Sequence, residues 1–257
     1  MSIIKNEINI IKILKNWPTY FADLFHATKQ EHIIYELRNG VRYKVRAKTY
    51  DKAIINEIWV QNQYTPPGFK INSSDVVVDI GSHIGVFAVL ASKYAYKGKV
   101  YSFEPIPENF GLLNENLSLN NIKNLIPFNK AVTNKKGRIK MRVYENNTGG
   151  HSLVFNHSNY KSKTLSIETT SLKDFIEEKN ILKIDFLKMD CEGGEYDIFF
   201  NCPDYIFEMI GLISMEYHNI DEKRNAVVLK KFLEEKGFNV KLKSEGRLPY
   251  SNLYAKR

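Results

Sequence analysis

The stretch Val76-Val77-Val78-Asp79-Ile80-Gly81-Ser82-His83-Ile84-Gly85 constrains this chain more than any other part of it. An apolar run ends in an acidic residue, a glycine turn follows, and helical spacing then begins, as at the strand-turn-helix entry of an open α/β sheet. Ligands of such sheets bind beyond the carboxyl ends of the strands. Gly81 removes a Cβ so that backbone can approach a ligand, and Gly85 lets the following helix pack closely. The spacing also excludes a class of cofactor. Dinucleotide folds place G-x-G-x-x-G here to cradle a pyrophosphate on a helix N-terminus, whereas position 83 is His and the glycines fall as D-x-G-x-x-x-G. A cofactor without phosphates is favoured, and a nicotinamide-dependent oxidoreductase is disfavoured. Any tight strand-to-helix connection needs such glycines, so the turn alone does not make a site. Glu104 adds the second half: it follows the strand Val100-Tyr101-Ser102-Phe103, where a carboxylate can accept hydrogen bonds from both hydroxyls of a ribose.

Around this motif the hydrophobic period alternates between strand and helix, as in a doubly wound, mostly parallel α/β sheet covered on both faces. Strands are predicted at Val76 to Ile80, Lys99 to Phe103, Leu125 to Val132, Phe186 to Met189, Leu212 to Glu216, Asn239 to Leu242 and Leu253 to Lys256. Helices are predicted at Ile84 to Tyr96, Pro107 to Leu119, Leu172 to Glu178, Glu195 to Asn201 and Lys223 to Lys236. Between Gly137 and Thr170 the helical period lapses, and RIKMRVYE and SLVF read as extra strands. Residues 1–70 read as an N-terminal appendage to a catalytic domain at 71–257. It comprises a helix from Lys5 to about His26 interrupted at Trp17-Pro18, a hairpin turning at Asn39-Gly40, and a helix from Lys52 to Gln63.

The chain of 257 residues suits one large α/β domain, with or without a small appendage. Its 37 Lys and Arg against 29 Asp and Glu give a formal charge of +8. No Lys/Arg block with interleaved aromatics accompanies that excess, so it reads as a solvated surface before it reads as a nucleic-acid face. Cys191 and Cys202 are the only cysteines, which excludes a disulfide framework and a thiol zinc cluster and fits a reducing, cytoplasmic setting. Charged and polar residues interrupt the apolar positions of the first fifteen residues too often for a signal peptide, and no window reaches the ~20 apolar residues of a membrane span.

A third cluster, Leu187-Lys188-Met189-Asp190-Cys191-Glu192-Gly193-Gly194-Glu195, lies at another strand end and opens a helix. Asp190, Glu192 and Glu195 gather negative charge where the helix dipole stabilises it and where a cationic sulfonium would sit. The plainer reading has Glu192 and Glu195 capping the helix while Lys188 pairs with one of them. With these residues in place, the sequence from 75 to about 218 resembles the FkbM-type methyltransferases. The resemblance rests on VVVDIGSHIGVFAVLA, VYSFEPIPENFGLLNENLSLNN, NKAVTNKKG, IETTSLKDFI, FLKMDCEGGEYDIF and ISMEYH, in the family's order. It implies a Rossmann-like seven-strand methyltransferase sheet, S-adenosylmethionine as methyl donor, and O-methylation of a sugar, glycan or secondary metabolite. Asp79, Gly81, Ser82, His83 and Gly85 would shape the methionine side of the pocket, and Glu104 would hold the ribose. Asn109 and Ala131 would lie towards adenosine, and Asp190 would face the transferring methyl. Position 83 is His where many relatives have a small residue or Asn, and position 194 is Gly where they have Ala, so His83 either touches a ligand or is a surface turn residue.

A hydroxyl acceptor must lose its proton as the methyl arrives, and the candidate bases are Asp190, Glu192 and His218, the last expected just after a strand. A divalent ion on Asp190, Glu192 and Glu216 is the disfavoured alternative, because no adjacent Asp-Asn pair marks the site. An RNA methyltransferase lacks its usual signals here: there is no Asn/Asp-Pro-Pro-Tyr segment, and Cys202 precedes Pro203 rather than following a proline. A non-catalytic module that only binds the cofactor is disfavoured by intact Gly81, Glu104 and Asp190. The acceptor side is expected to draw on Tyr144, Asn146, His151, Phe155, His157 and Tyr160.

Overall fold

The computed structural model describes residues 9–144, 162–243 and 250–257. Residues 9–13 are helical, Leu14 bridges to Leu37, and helix α1 (Trp17–Leu24) starts with Pro18 in its first turn, where a missing N–H costs nothing. Strands β1 (His32–Glu36) and β2 (Arg42–Arg46) form the expected hairpin. Only Gly40 has positive φ in its turn (85°), and Asn39 instead accepts the Val41 N–H with its side chain, so the connection is not the primed turn its Asn-Gly pair predicts. After α2 (Asp51–Trp59) the alternating region follows: β3 (Val76–Ile80), α3 (Val86–Tyr94), β4 (Lys99–Phe103), α4 (Pro107–Leu119), β5 (Leu125–Phe128), β6 (Ala131–Thr133), β7 (Gly137–Tyr144) and β8 (Ser162–Ser171). The chain continues through α5 (Leu172–Glu178), β9 (Ile184–Met189), α6 (Glu195–Phe200), α7 (Asp204–Glu208), β10 (Ile210–His218), α8 (Ala226–Glu235), β11 (Asn239–Lys243) and β12 (Tyr250–Lys256).

Seven strands form the central sheet in the order β11-β12-β10-β9-β3-β4-β5, with β12 alone antiparallel to its neighbours. Strand order reverses between β3 and β9, and that crevice is where an open α/β sheet takes its ligand. Both faces are buried, so the strands carry near-continuous apolar runs. On one face Val77, Val100 and Phe186 pack with α3, α4 and the N-terminal segment, including Ile10, Tyr35, Tyr43, Val45 and Ile55. On the other, Val78, Ile80, Phe103 and Leu187 pack with residues of α5 to α8 such as Phe175, Phe199, Phe207 and Leu229. The hairpin is therefore built into the core. Its β2 edge is closed by side-chain amides of α4: Asn116 and Asn120 accept from the Lys44 and Arg42 N–H groups and donate back to their carbonyls.

The expectation for Leu125 to Val132 changes. The run Leu125 to Val132 is two strands, because Asn129 turns its amide onto the carbonyls of Glu104 and Pro105 and diverts the chain, so that β6 joins a separate three-stranded sheet β6-β8-β7. The second outer strand is Ser162–Ser171, paired antiparallel to β7. The SLVF segment lies outside the described residues. Among the described residues no helix is long and apolar enough to cross a membrane.

Candidate functional site

A cavity of about 870 Å³ opens at the carboxyl ends of β3, β4, β9 and β10, within the range of small-molecule sites. Gly81, Ser82, His83, Glu104, Asn109, Ala131, Asp190, Glu192 and His218 all border it. Gly81 and Gly85 adopt φ of 79° and 83°. A Cβ on Gly81 would sit 1.6 Å from the Asp190 carbonyl oxygen, so the glycine is required first by the close approach of the β3 turn to the end of β9. A Cβ on Gly85 would press on Leu113 of α4 at 3.1 Å, as helix packing predicts. Asp79 is fully buried beneath this turn, with Lys188 Nζ at 3.1 Å. Lys188 also donates to the Gly81 carbonyl at 2.6 Å. Burial works against the Lys188 ammonium, but Asp79 and Asp190 outweigh it and hold the group protonated. Lys188 thus pairs with Asp79 rather than with Glu192 or Glu195. The Ser82 hydroxyl is turned inward, donating to the Asp79 carbonyl and accepting from Ser102.

Glu104 is buried beyond β4 and accepts the His83 and Ile106 N–H groups at 2.8 and 2.9 Å, with the Asn109 amide at 3.4 Å. Burial pushes its carboxyl up to about 7 despite these donors, so the group is ready for further hydrogen bonds that favour its charged form. His83 is not a surface turn residue. Its Nε2 lies 3.7 Å from Asp51 and 3.3 Å from Arg46 Nη2.

At the other end, Asp190 donates its backbone N–H to the Ile80 carbonyl and projects its side chain into the cavity from the end of β9. Glu192 has φ of 51° and Gly193 of 96°, a turn that swings Glu192 towards β10. His218 ends β10 rather than following it. Its ring meets Glu192 at 3.4 Å, Glu195 at 3.2 Å and Glu216 at 3.4 Å. Burial alone would lower His218, but the three carboxylates raise it to about 12, so it is an imidazolium at neutral pH. Glu195, fully buried, also accepts the His218 N–H, and Gly194 at the α6 N-cap has no side-chain cap, so Glu195 holds β10 rather than capping its helix. Burial pushes Glu216 up to about 7, and burial raises Glu192 as well. Cys191 and Cys202 are free thiols, both pushed up by burial. Among the described residues no group of His, Cys, Asp and Glu is arranged to hold a metal ion.

The N-terminal segment also contributes to the site, and sequence reasoning passed over its Arg46, Asp51, Gln63 and Tyr64. Arg46 makes a two-pronged pair with Asp51 at 2.9 Å and reaches Asn109 at 2.8 Å. Gln63 donates to Glu216 at 3.3 Å, and the Tyr64 hydroxyl donates to Asp190 at 2.8 Å. The candidate lining residues Asn146, His151, Phe155, His157 and Tyr160, and the Tyr144 side chain, lie outside what is described.

Comparison with known proteins gives a consistent result. The family model described as "Methyltransferase FkbM domain" matches residues 79–240. "Methyltransferase 1" of Beauveria bassiana is 24% identical over 76% of this chain and 83% of its own. "31-O-demethyl-FK506 methyltransferase FkbM" of Streptomyces tacrolimicus is 24% identical over 73% and 81%. "Hexuronic acid methyltransferase AglP" of Haloferax volcanii is 27% identical over 58% and 59%. Among solved structures, the FkbM methyltransferase of Methylobacillus flagellatus KT superposes with a TM-score of 0.52 at 15% identity, covering 72% of this chain and 44% of that longer one.

Proposed function

Because the chain belongs to the FkbM-domain methyltransferases and is therefore a methyltransferase, we propose that it draws its methyl group from S-adenosylmethionine and delivers it to a hydroxyl of a sugar, glycan or secondary metabolite. The observation that carries this reading is the shared cavity. It has Glu104, a buried carboxylate beside a glycine turn, at one end and the Asp190 carboxylate at the other. Glu104 suits a ribose, since Oε2 accepts only the His83 N–H and retains acceptor capacity, while Oε1 already takes the Ile106 N–H and, more distantly, the Asn109 amide. Asp190 suits a sulfonium. The turn from Gly81 to Gly85 lacks the glycine spacing that would cradle a pyrophosphate. Names of two relatives, one acting on an O-demethyl compound and one on a hexuronic acid, support a metabolite or sugar acceptor.

When bound, S-adenosylmethionine supplies a methyl group activated on sulfur. Glu104, through the ribose, and Asp190, through charge, fix that methyl relative to the acceptor, and positioning of this kind supplies several kcal/mol. The acceptor proton passes to Asp190, exposed to the cavity, and onward to Glu216, whose carboxyl, pushed up to about 7 by burial, exchanges protons near neutral pH. His218, held as an imidazolium, orients Glu216 and Glu192 and does not itself take the proton. Free Cys191 and Cys202 suit a reducing, cytoplasmic setting.

A thermal shift with S-adenosylhomocysteine and none with NAD is the expected result, since a ligand stabilises the state it binds. Stabilisation by NAD alone would refute the reading. Radiolabelled methyl transfer into a fractionated lysate lacking this protein then identifies the acceptor.

A further inference from the structure

After α2 the N-terminal segment lines the cavity with Gln61, Gln63 and Tyr64 and is pinned there by contacts to the sheet. The Gln63 carbonyl accepts the Tyr254 hydroxyl of β12 at 2.6 Å, and its amide reaches Glu216 of β10. Next to it, Tyr64 is 5% exposed. Its ring packs edge-on against Phe87 of α3, with centroids 5.7 Å apart, and Lys188 Nζ lies 5.0 Å from its centre. With the ring held on two sides, the hydroxyl donates to Asp190 Oδ2 at 2.8 Å. Burial, and after it the neighbouring Asp190, push the phenol far above its usual range, so it remains a donor at any working pH.

We propose that Tyr64 is a positioning residue of the methyl-transfer site: its hydroxyl clamps Oδ2 of Asp190 and turns Oδ1 towards the cavity, where the charged donor and the acceptor hydroxyl meet. This rests on the reading that Asp190 faces the sulfonium. Lys188 lies 4.0 Å from the same Oδ2, so phenol and ammonium hold one oxygen of the carboxylate and leave the other for chemistry. The segment before the sheet thus completes the reacting end of the site. A fixed carboxylate attracts the sulfonium of S-adenosylmethionine and has no such charge to attract in the thioether S-adenosylhomocysteine, so the ratio of the two affinities reports its placement.

The test is calorimetry of both compounds on the full chain, for the parent, Tyr64→Phe, Asp190→Asn and the double variant. Phenylalanine keeps the ring against Phe87 and Lys188 and removes only the hydroxyl. Hydrogen bonds to charged groups correspond to roughly tenfold to a hundredfold in an equilibrium constant. Tyr64→Phe is therefore expected to weaken S-adenosylmethionine about tenfold or more and S-adenosylhomocysteine less than about twofold. In the Asp190→Asn background it should change the ratio no further, because the effect runs through Asp190. Equal weakening of both compounds means a structural role and overturns the proposal, as does an unchanged ratio in Tyr64→Phe when Asp190→Asn shifts it. An unchanged ratio in Asp190→Asn overturns the placement of Asp190 itself, and the role of Tyr64 with it. For a variant too unstable for calorimetry, thermal shifts with each compound give the same ratio.

Discussion

Replacing Glu104 by glutamine separates what its burial costs the fold from what it contributes to the ribose. Its carboxyl moves from the ordinary 4.5 to about 7 on folding, with burial as the main cause. The folded chain therefore holds this proton more tightly than the unfolded chain does. Stability attached to the protonated group is complete below about pH 4.5 and is lost as pH rises through about 7, a difference of about 3 kcal/mol. Glutamine does not titrate. It also leaves one of the His83 or Ile106 N–H groups without a carboxylate oxygen, a cost that does not vary with pH. Relative to the parent, Glu104→Gln should gain about 2 kcal/mol between about pH 5.5 and 8.5, a relative rise of about 4–8 °C in melting temperature. Differential scanning of the ligand-free proteins across that range measures it. Donor binding should run the other way. Two ribose hydroxyls favour the carboxylate and expel the proton, so the parent's affinity for S-adenosylmethionine should rise about tenfold from about pH 6 to 8 and then level off. Glu104→Gln should lose that dependence and bind roughly 10- to 100-fold more weakly. A stability gap between the two proteins that stays flat with pH would refute the reasoning.

Two further substitutions probe the frame of the site. Gly81→Ala drives a Cβ into the Asp190 carbonyl at a φ of 79°, and should cost at least about 3 kcal/mol in urea unfolding; a parent-like midpoint would contradict the close approach of β3 and β9. His218→Gln leaves Glu192, Glu195 and Glu216 without their cation and should cost roughly 3–5 kcal/mol at about pH 8. The loss should shrink at about pH 5, as Glu216 takes up a proton, and equal losses at both would show that charge is not what His218 supplies.

The parts of this molecule legible in its sequence are those whose reasons are local. Strands β3, β4 and β9 are buried on both faces, so their apolar runs stand out, and Glu104 is found because it follows the strand beside the glycine turn. Strand β8 hides in Ser162–Ser171, where Leu165 and Ile167 are the only large apolar residues of a sheet with one wet face. The break between β5 and β6 is invisible in an apolar run because it depends on the Asn129 amide finding carbonyls across a turn. His218 is a histidine after a strand until three glutamates converge on it from two strand ends and a helix. Tyr64 carries no signal beyond standing before Thr65-Pro66-Pro67, since its partner Asp190 is 126 residues away.

The amide side chains that close the β2 edge also decide how this protein can be shortened. A chain begun at β3 would lose the strand that Asn116 and Asn120 bind, strip Tyr35, Tyr43 and Ile55 from the core on that face, take Tyr64 from the cavity and remove the Arg46 support of Asn109. A chain stopped after β11 would remove β12 from between β11 and β10 and leave two sheet edges unpaired. Fragments trimmed to the alternating region should therefore aggregate before they bind anything, and domain-swap or fusion designs should treat residues before and after it as part of the folding unit.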